Sequence, residues 1–147
     1  MDEFEADGFA ADEFGMLRRG INAGQITLGV HIRKMNSPGS PVYRYAENIM
    51  VPIGILLACL LAARAVNVHV GAAVLAAGMA LWLWKWQPRV KDGVYQRSVA
   101  LALSEERLFD ALWAKGALTL TAEQPDGGRH MATRRDDWRA FVRGHVA

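Results

Sequence analysis

The side chains that can do chemistry are sparse and scattered in this 147-residue chain. Its four histidines, His31, His69, His130 and His145, lack the short, repeated spacing by which His and Cys ligands close a tetrahedron around zinc. Cys59 is the only cysteine, so an intrachain disulfide and a multi-cysteine metal site are excluded. Its neighbours Ala58, Leu60 and Leu61 make it a small apolar packing residue rather than a reactive thiol. Asp136 and Asp137 resemble the paired carboxylates of acid–base catalysis, but adjacent helical residues diverge, and the pair reads as the acidic start of a helix. Haem would need axial ligands at membrane depth, where His69 sits at a loop end and Met50 and Met79 are poorly placed. With no phosphate loop or nucleophile elbow either, the expectation is no catalytic residue, no metal and no cofactor.

The elements that would carry such residues are set by one apolar stretch. From Asn48 to Trp84, Arg64 is the only Asp, Glu, Lys or Arg. Two runs, Ile49–Ala63 and Val70–Trp84, extend to Asn48–Val66 and Val68–Trp86. Each is then about 19 residues, or roughly 28 Å of helix against a ~30 Å hydrocarbon layer. Leu, Ala and Val surround both helices, where a soluble helix keeps a polar stripe. The spacing predicts a mainly α membrane protein: a transmembrane helical hairpin over 48–87, turning near Asn67, with Pro52 harmless in the first turn.

Charge orients the hairpin. Arg33, Lys34 and Arg44 precede it and Lys85, Arg89, Lys91 and Arg97 follow it, against Arg64 alone in the loop, so both termini are expected in the cytoplasm. Tyr43, Tyr45, Trp82, Trp84 and Trp86 fall at that same interface as anchors, with Arg64 extending to headgroups at the other. Gly54, Ala58 and Ala62, and Ala72, Ala76 and Ala80, form rows of small residues that let membrane helices pack closely, first of all the hairpin on itself. Intramembrane carboxylates and broken helices, which mark ion paths, are missing, so transport by one chain is not expected.

The flanks divide into three segments. Residues 1–24 read as an acidic, flexible tail, in which Phe4, Phe9 and Phe14 can dock on a basic partner. Residues 25–47 hold an alternating strand, Ile26, Leu28, Val30 and Ile32, then a turn-rich juxtamembrane stretch. Residues 88–147 begin where Gln87-Pro88 ends the regular run. An interfacial helix over 94–103 follows, then a helix capped by Ser104 with Leu108, Phe109, Leu112 and Trp113 on its apolar face. A hairpin turns at Pro125-Asp126-Gly127-Gly128, and a short amphipathic helix carries Trp138, Phe141 and Val142. Together the flanks predict a small cytoplasmic α+β region, with Trp113 and Trp138 as further partner contacts.

A formal charge of +2 lacks the basic excess of a nucleic-acid binder, and the partners expected are the lipid bilayer, other integral membrane subunits and a second copy of the chain. The functional expectation is a non-catalytic accessory, structural or assembly subunit of a larger complex, in a bacterial inner membrane on account of the Ala- and Arg-rich, Lys-poor composition. The alternatives are a self-associating pore former of holin or toxin type and a membrane-tethered cytoplasmic ligand-binding module. The layout resembles small hairpin subunits of bacterial type IV secretion machines in topology alone, with no residue transferred.

Overall fold

A computed structural model describes residues 13–146. In chain order its elements are α1 (13–22), β1 (Ile26–Val30), α2 (Ile32–Met35), α3 (Val51–Ala65), α4 (Val68–Leu81), α5 (Gln87–Ala102), α6 (Glu106–Ala114), β2 (Leu118–Glu123), β3 (Arg129–Ala132) and α7 (Trp138–His145). They form two compact units: Met35–Arg97, and the flanks up to Lys34 together with the chain from Ser98 onward.

The first unit is built on an antiparallel helix pair. A π-helical turn, Ala46–Met50, leads into α3, and a second, Trp82–Trp86, joins α4 to α5. Each π turn lies just ahead of a proline, Pro52 or Pro88. Proline has no N–H to give and its ring collides with the carbonyl four residues back; a locally wider helix relieves both problems. At the second turn Gln87 donates its N–H to the Trp82 carbonyl, five residues back. Gln87-Pro88 therefore does not end the helix, and no separate interfacial helix exists over 94–103: helical structure runs unbroken from Val68 to Ala102.

The turn between α3 and α4 is minimal. Asn67 has an extended backbone (φ −169°, ψ 171°), and its side chain accepts the Val70 N–H at 2.9 Å, capping α4. At the opposite end of the pair the chain is fastened by polar groups. Asn36 and Asn48 exchange amide hydrogen bonds, each 2.9 Å. Arg97 donates to Glu47 at 2.9 Å and to the Val42 carbonyl at 3.2 Å.

The second unit is an α+β fold assembled from both flanks. Its three-stranded antiparallel sheet has order β1-β2-β3, with Leu28 opposite Leu120 and Leu120 opposite Ala132. Alternation places Ile26, Leu28, Leu118, Leu120, Ala122 and Ala132 on the buried side. Leu17 of α1, Phe109 and Leu112 of α6, and Phe141 and Val142 of α7 are buried with them. A small α+β region drawn from both sides of the hairpin is thus as the sequence patterning predicts. The tail is not: within 1–24, residues 13–22 form α1, whose Leu17 is fully buried. Ser104 does not cap α6; its hydroxyl donates to the Leu101 carbonyl at 2.6 Å, closing α5, and Glu105 takes the cap position without a side-chain bond.

Candidate functional site

The surface of the α3–α4 pair is long, apolar and largely unburied. Ala46–Ala65, 20 residues, and Val68–Ala102, 35 residues, are both long and apolar enough to cross a membrane. Of their most apolar windows, 0% and 6% of residues respectively are buried. Core helices of soluble domains bury such faces, so these two windows are not core; the α5 end of the second helix is, through Val90, Val94 and Ala102. Leu56, Leu57, Leu60, Leu61, Leu81 and Leu83 are each more than half exposed.

The apolar exposure has edges at matching levels. Gly78 meets Ile55 across the pair, and the Trp86 indole donates to the Glu47 carbonyl at 2.9 Å. That register sets Ile49 level with Trp84 and Arg64 level with His69. The side chains between these levels are apolar on both helices. Each band spans about 15 residues, or roughly 22 Å of helix. Beyond one edge stand exposed Arg44, Lys85, Arg89 and Lys91; beyond the other lie the exposed tip residues Val66 and Val68.

The small-residue rows do not close the hairpin. Gly54, Ala58, Ala72, Ala76 and Ala80 are exposed, and only Ala62 is half-buried. Closure runs instead through Gly71, which nestles against Ala63 and the Cys59 carbonyl, and through Gly78 against Ile55. The seam is offset because it couples small residues on α4 to both small and branched ones on α3, a pattern that four-residue spacing within one helix does not reveal.

The aromatic anchors also divide. Trp84 is 80% exposed and Tyr45, edge-on to half-buried Tyr43 at 4.9 Å, is 61% exposed. Trp86 is used inside the unit by its bond to Glu47, and the Trp82 indole nitrogen is buried with no hydrogen-bond partner. Neither indole N–H is presented outward to headgroups. Arg64 is exposed, as an interfacial side chain would be.

In the α+β unit the aromatic side chains form the core rather than contacts for a partner. Phe14 packs edge-on against Phe109 at 6.2 Å and Trp138 at 6.5 Å; Phe109 stacks on Trp113 at 6.0 Å. Trp113 and Trp138 are 6% and 2% exposed. Phe4 and Phe9 lie outside the described residues. Trp138 donates to Asp110 at 2.8 Å, and Trp113 to the Asp136 carbonyl at 3.1 Å. Arg139, stacked 4.4 Å over the Trp138 ring, binds Glu106 at 2.8 Å and Asp110 at 2.9 Å, and Glu13 pairs with both Arg139 and Arg143. Burial works against the Arg139 charge, but the bonds to Asp110 and Glu106 outweigh it and raise its pKa. Asp137 caps α7 through the Arg139 N–H and Asp136 accepts from Thr133 N–H, so this acid pair is structural.

One pairing was hidden by sequence distance. His130 on β3 and His145 at the end of α7 meet ring to ring, with 3.0 Å between Nδ1 of the first and Nε2 of the second. Only the fold reveals it, because the two lie on different elements. No group of three or more His, Cys, Asp or Glu side chains able to hold a metal occurs among the described residues. No protein-family model matches the chain, and no curated protein or solved structure does either.

Proposed function

We propose that this chain is an integral membrane protein in which α3 and α4 cross the bilayer as a two-pass hairpin, with both termini cytoplasmic. The observation that carries the reading is the pair of exposed apolar bands with edges at the same levels. A lipid layer imposes one height on every helix that crosses it, whereas a protein partner has no reason to do so. The basic side chains beyond one edge give the sidedness.

Within that membrane the chain acts as a non-catalytic accessory or assembly subunit of a larger complex, in a bacterial inner membrane. The outward rows Gly54 and Ala58, and Ala72, Ala76 and Ala80, support this: small residues facing lipid leave shallow grooves that another membrane helix can fill. The test is extraction from the native membrane in mild detergent followed by native mass measurement. A defined assembly with other subunits is expected. An isolated monomer would refute the accessory role, and recovery of the chain in a carbonate-washed, detergent-free supernatant would refute the membrane reading itself. The same grooves suit a second copy of the chain; a homo-oligomer that makes cells leaky on expression would establish the pore-forming alternative.

A further inference from the structure

We propose that His130 and His145 form a two-imidazole site for a late first-row divalent cation, of the zinc, nickel or copper kind, that fastens the C-terminal helix α7 to the edge strand β3.

The argument starts from the proton positions. His145 Nδ1 lies 2.8 Å from the Phe141 carbonyl oxygen. That oxygen can only accept, so Nδ1 carries the proton and Nε2 is left with its lone pair, aimed at His130. Metal-binding histidines characteristically make such a second bond, which fixes tautomer and ring orientation. Stacking on Phe141, 4.2 Å between centroids and 25° between planes, holds the same ring further. His130 packs 5.4 Å from Phe141.

The spacing then suits a metal. Bonds of about 2.05 Å put two ligand nitrogens roughly 2.9 Å apart at a right angle and about 3.3 Å apart at the tetrahedral angle. The observed separation is 3.0 Å. Loading the site requires that the rings exchange their mutual hydrogen bond for a cation set to one side of the N···N line, which at 3.0 Å is too short to hold it in line. Each ring turns to face the ion, and His130 takes the tautomer protonated at Nε2. Imidazole nitrogens select zinc, copper and nickel over calcium or magnesium. A hollow beside His145 is bordered by Glu123 and Asp126, whose charges favour a cation. Two protein ligands leave the remaining positions to water, so the ion is exchangeable. This proposal does not depend on the membrane reading.

The probe is Zn2+ alone, added to untagged, chelator-treated, full-length chain in mild detergent and followed by titration calorimetry. One equivalent is expected to bind. Affinity should fall roughly tenfold or more in both His130→Ala and His145→Ala and stay unchanged in His31→Ala and His69→Ala. Far-UV circular dichroism checks that each variant is folded; His130→Gln, which keeps a polar side chain, serves if His130→Ala is not. Zn2+ should also raise the unfolding temperature of the parent chain and leave that of His145→Ala in place. Absence of a one-equivalent event, or binding that survives both substitutions, would overturn the site.

Discussion

A single methyl group added at Gly71 tests where the hairpin closes. A Cβ there would stand 2.6 Å from the Ala63 Cβ, 3.0 Å from the Cys59 carbonyl oxygen and 3.1 Å from the Ala63 Cα. These atoms are backbone or fixed to it, so no rotamer change makes room, and α4 must back away from α3 by about 1 Å. Overpacking of this kind costs ~1–3 kcal/mol. Gly71 is the fourth residue of α4, and its replacement by alanine returns at most ~1 kcal/mol of helix propensity, leaving Gly71→Ala destabilised by roughly 1–2 kcal/mol at the middle of the two ranges. Gly54 is the matched control, because a Cβ there meets nothing within 4 Å. Gly54→Ala should therefore be neutral or stabilising, by at most ~1 kcal/mol. The full chain, folded in mild detergent, is titrated with sodium dodecyl sulfate while tryptophan fluorescence is followed; Trp82 and Trp86, near the base of the pair, report on its separation. The Gly71→Ala midpoint should shift to lower denaturant and the Gly54→Ala midpoint should not. Equal losses in both variants, or a loss only at Gly54, would show that the Gly54, Ala58 and Ala62 row is the seam after all.

Other perturbations read separate parts of the structure. Phe109 is fully buried and ringed by Phe14, Trp113 and Trp138; Phe109→Ala should cost ~3–5 kcal/mol in chemical unfolding, with loss of near-UV circular dichroism. Arg139→Ala breaks the link to Glu106 and Asp110, and because these groups are partly solvated the cost should be only about 1–2 kcal/mol. Its pKa is raised on folding. The stability it supplies is therefore complete below the unfolded value and fades only as pH climbs past the folded one, in strong alkali. The Arg139→Ala penalty should match at about pH 6 and about pH 9. Asn67→Ala removes the cap on α4 and should lower stability to detergent unfolding by ~1 kcal/mol, read as a lower midpoint. In a Cys59→Ala background, a cysteine at Asn67 should react with membrane-impermeant maleimide added to spheroplasts and one at Asp126 should not; the reverse pattern would invert the topology.

What was legible in the sequence was whatever one segment decides for itself. The hairpin reads directly from Asn48 to Trp84, since an apolar stretch twice the needed length, broken near its middle by Arg64, Asn67 and His69, leaves few other solutions, and Asn67 is the residue there that most readily takes a turn. The strands read nearly as well, because period-two alternation at Ile26–Val30 and Leu118–Ala122 is local, although Ile32, last of the alternating series, opens α2 instead of extending β1. What was not legible depends on two segments at once. Trp113 and Trp138 look like exposed aromatics for a partner until α6 and α7 bury them together, and the seam through Gly71 is set by which face of α3 it meets. Pro88 misled for a related reason: a proline stops an isolated helix, but here a π turn reassigns the hydrogen bonds ahead of it.

The connectivity also constrains how the molecule is made. β1 pairs with β2, which is synthesised only after the whole of α3, α4 and α5. Left open, a loop of that length would delay pairing, since closure entropy must be met before any strand contact forms. An antiparallel helix pair brings its two ends back together, so once α3 and α4 have packed, the open part of that loop is far shorter. Folding of the α+β unit should follow formation of the hairpin, and a defect at Gly71 should slow appearance of the sheet although no residue of the sheet has changed. Independent formation of the β1–β2 pair, at the parental rate in Gly71→Ala by pulsed hydrogen exchange at Leu28 and Leu120, would show that the two events are uncoupled.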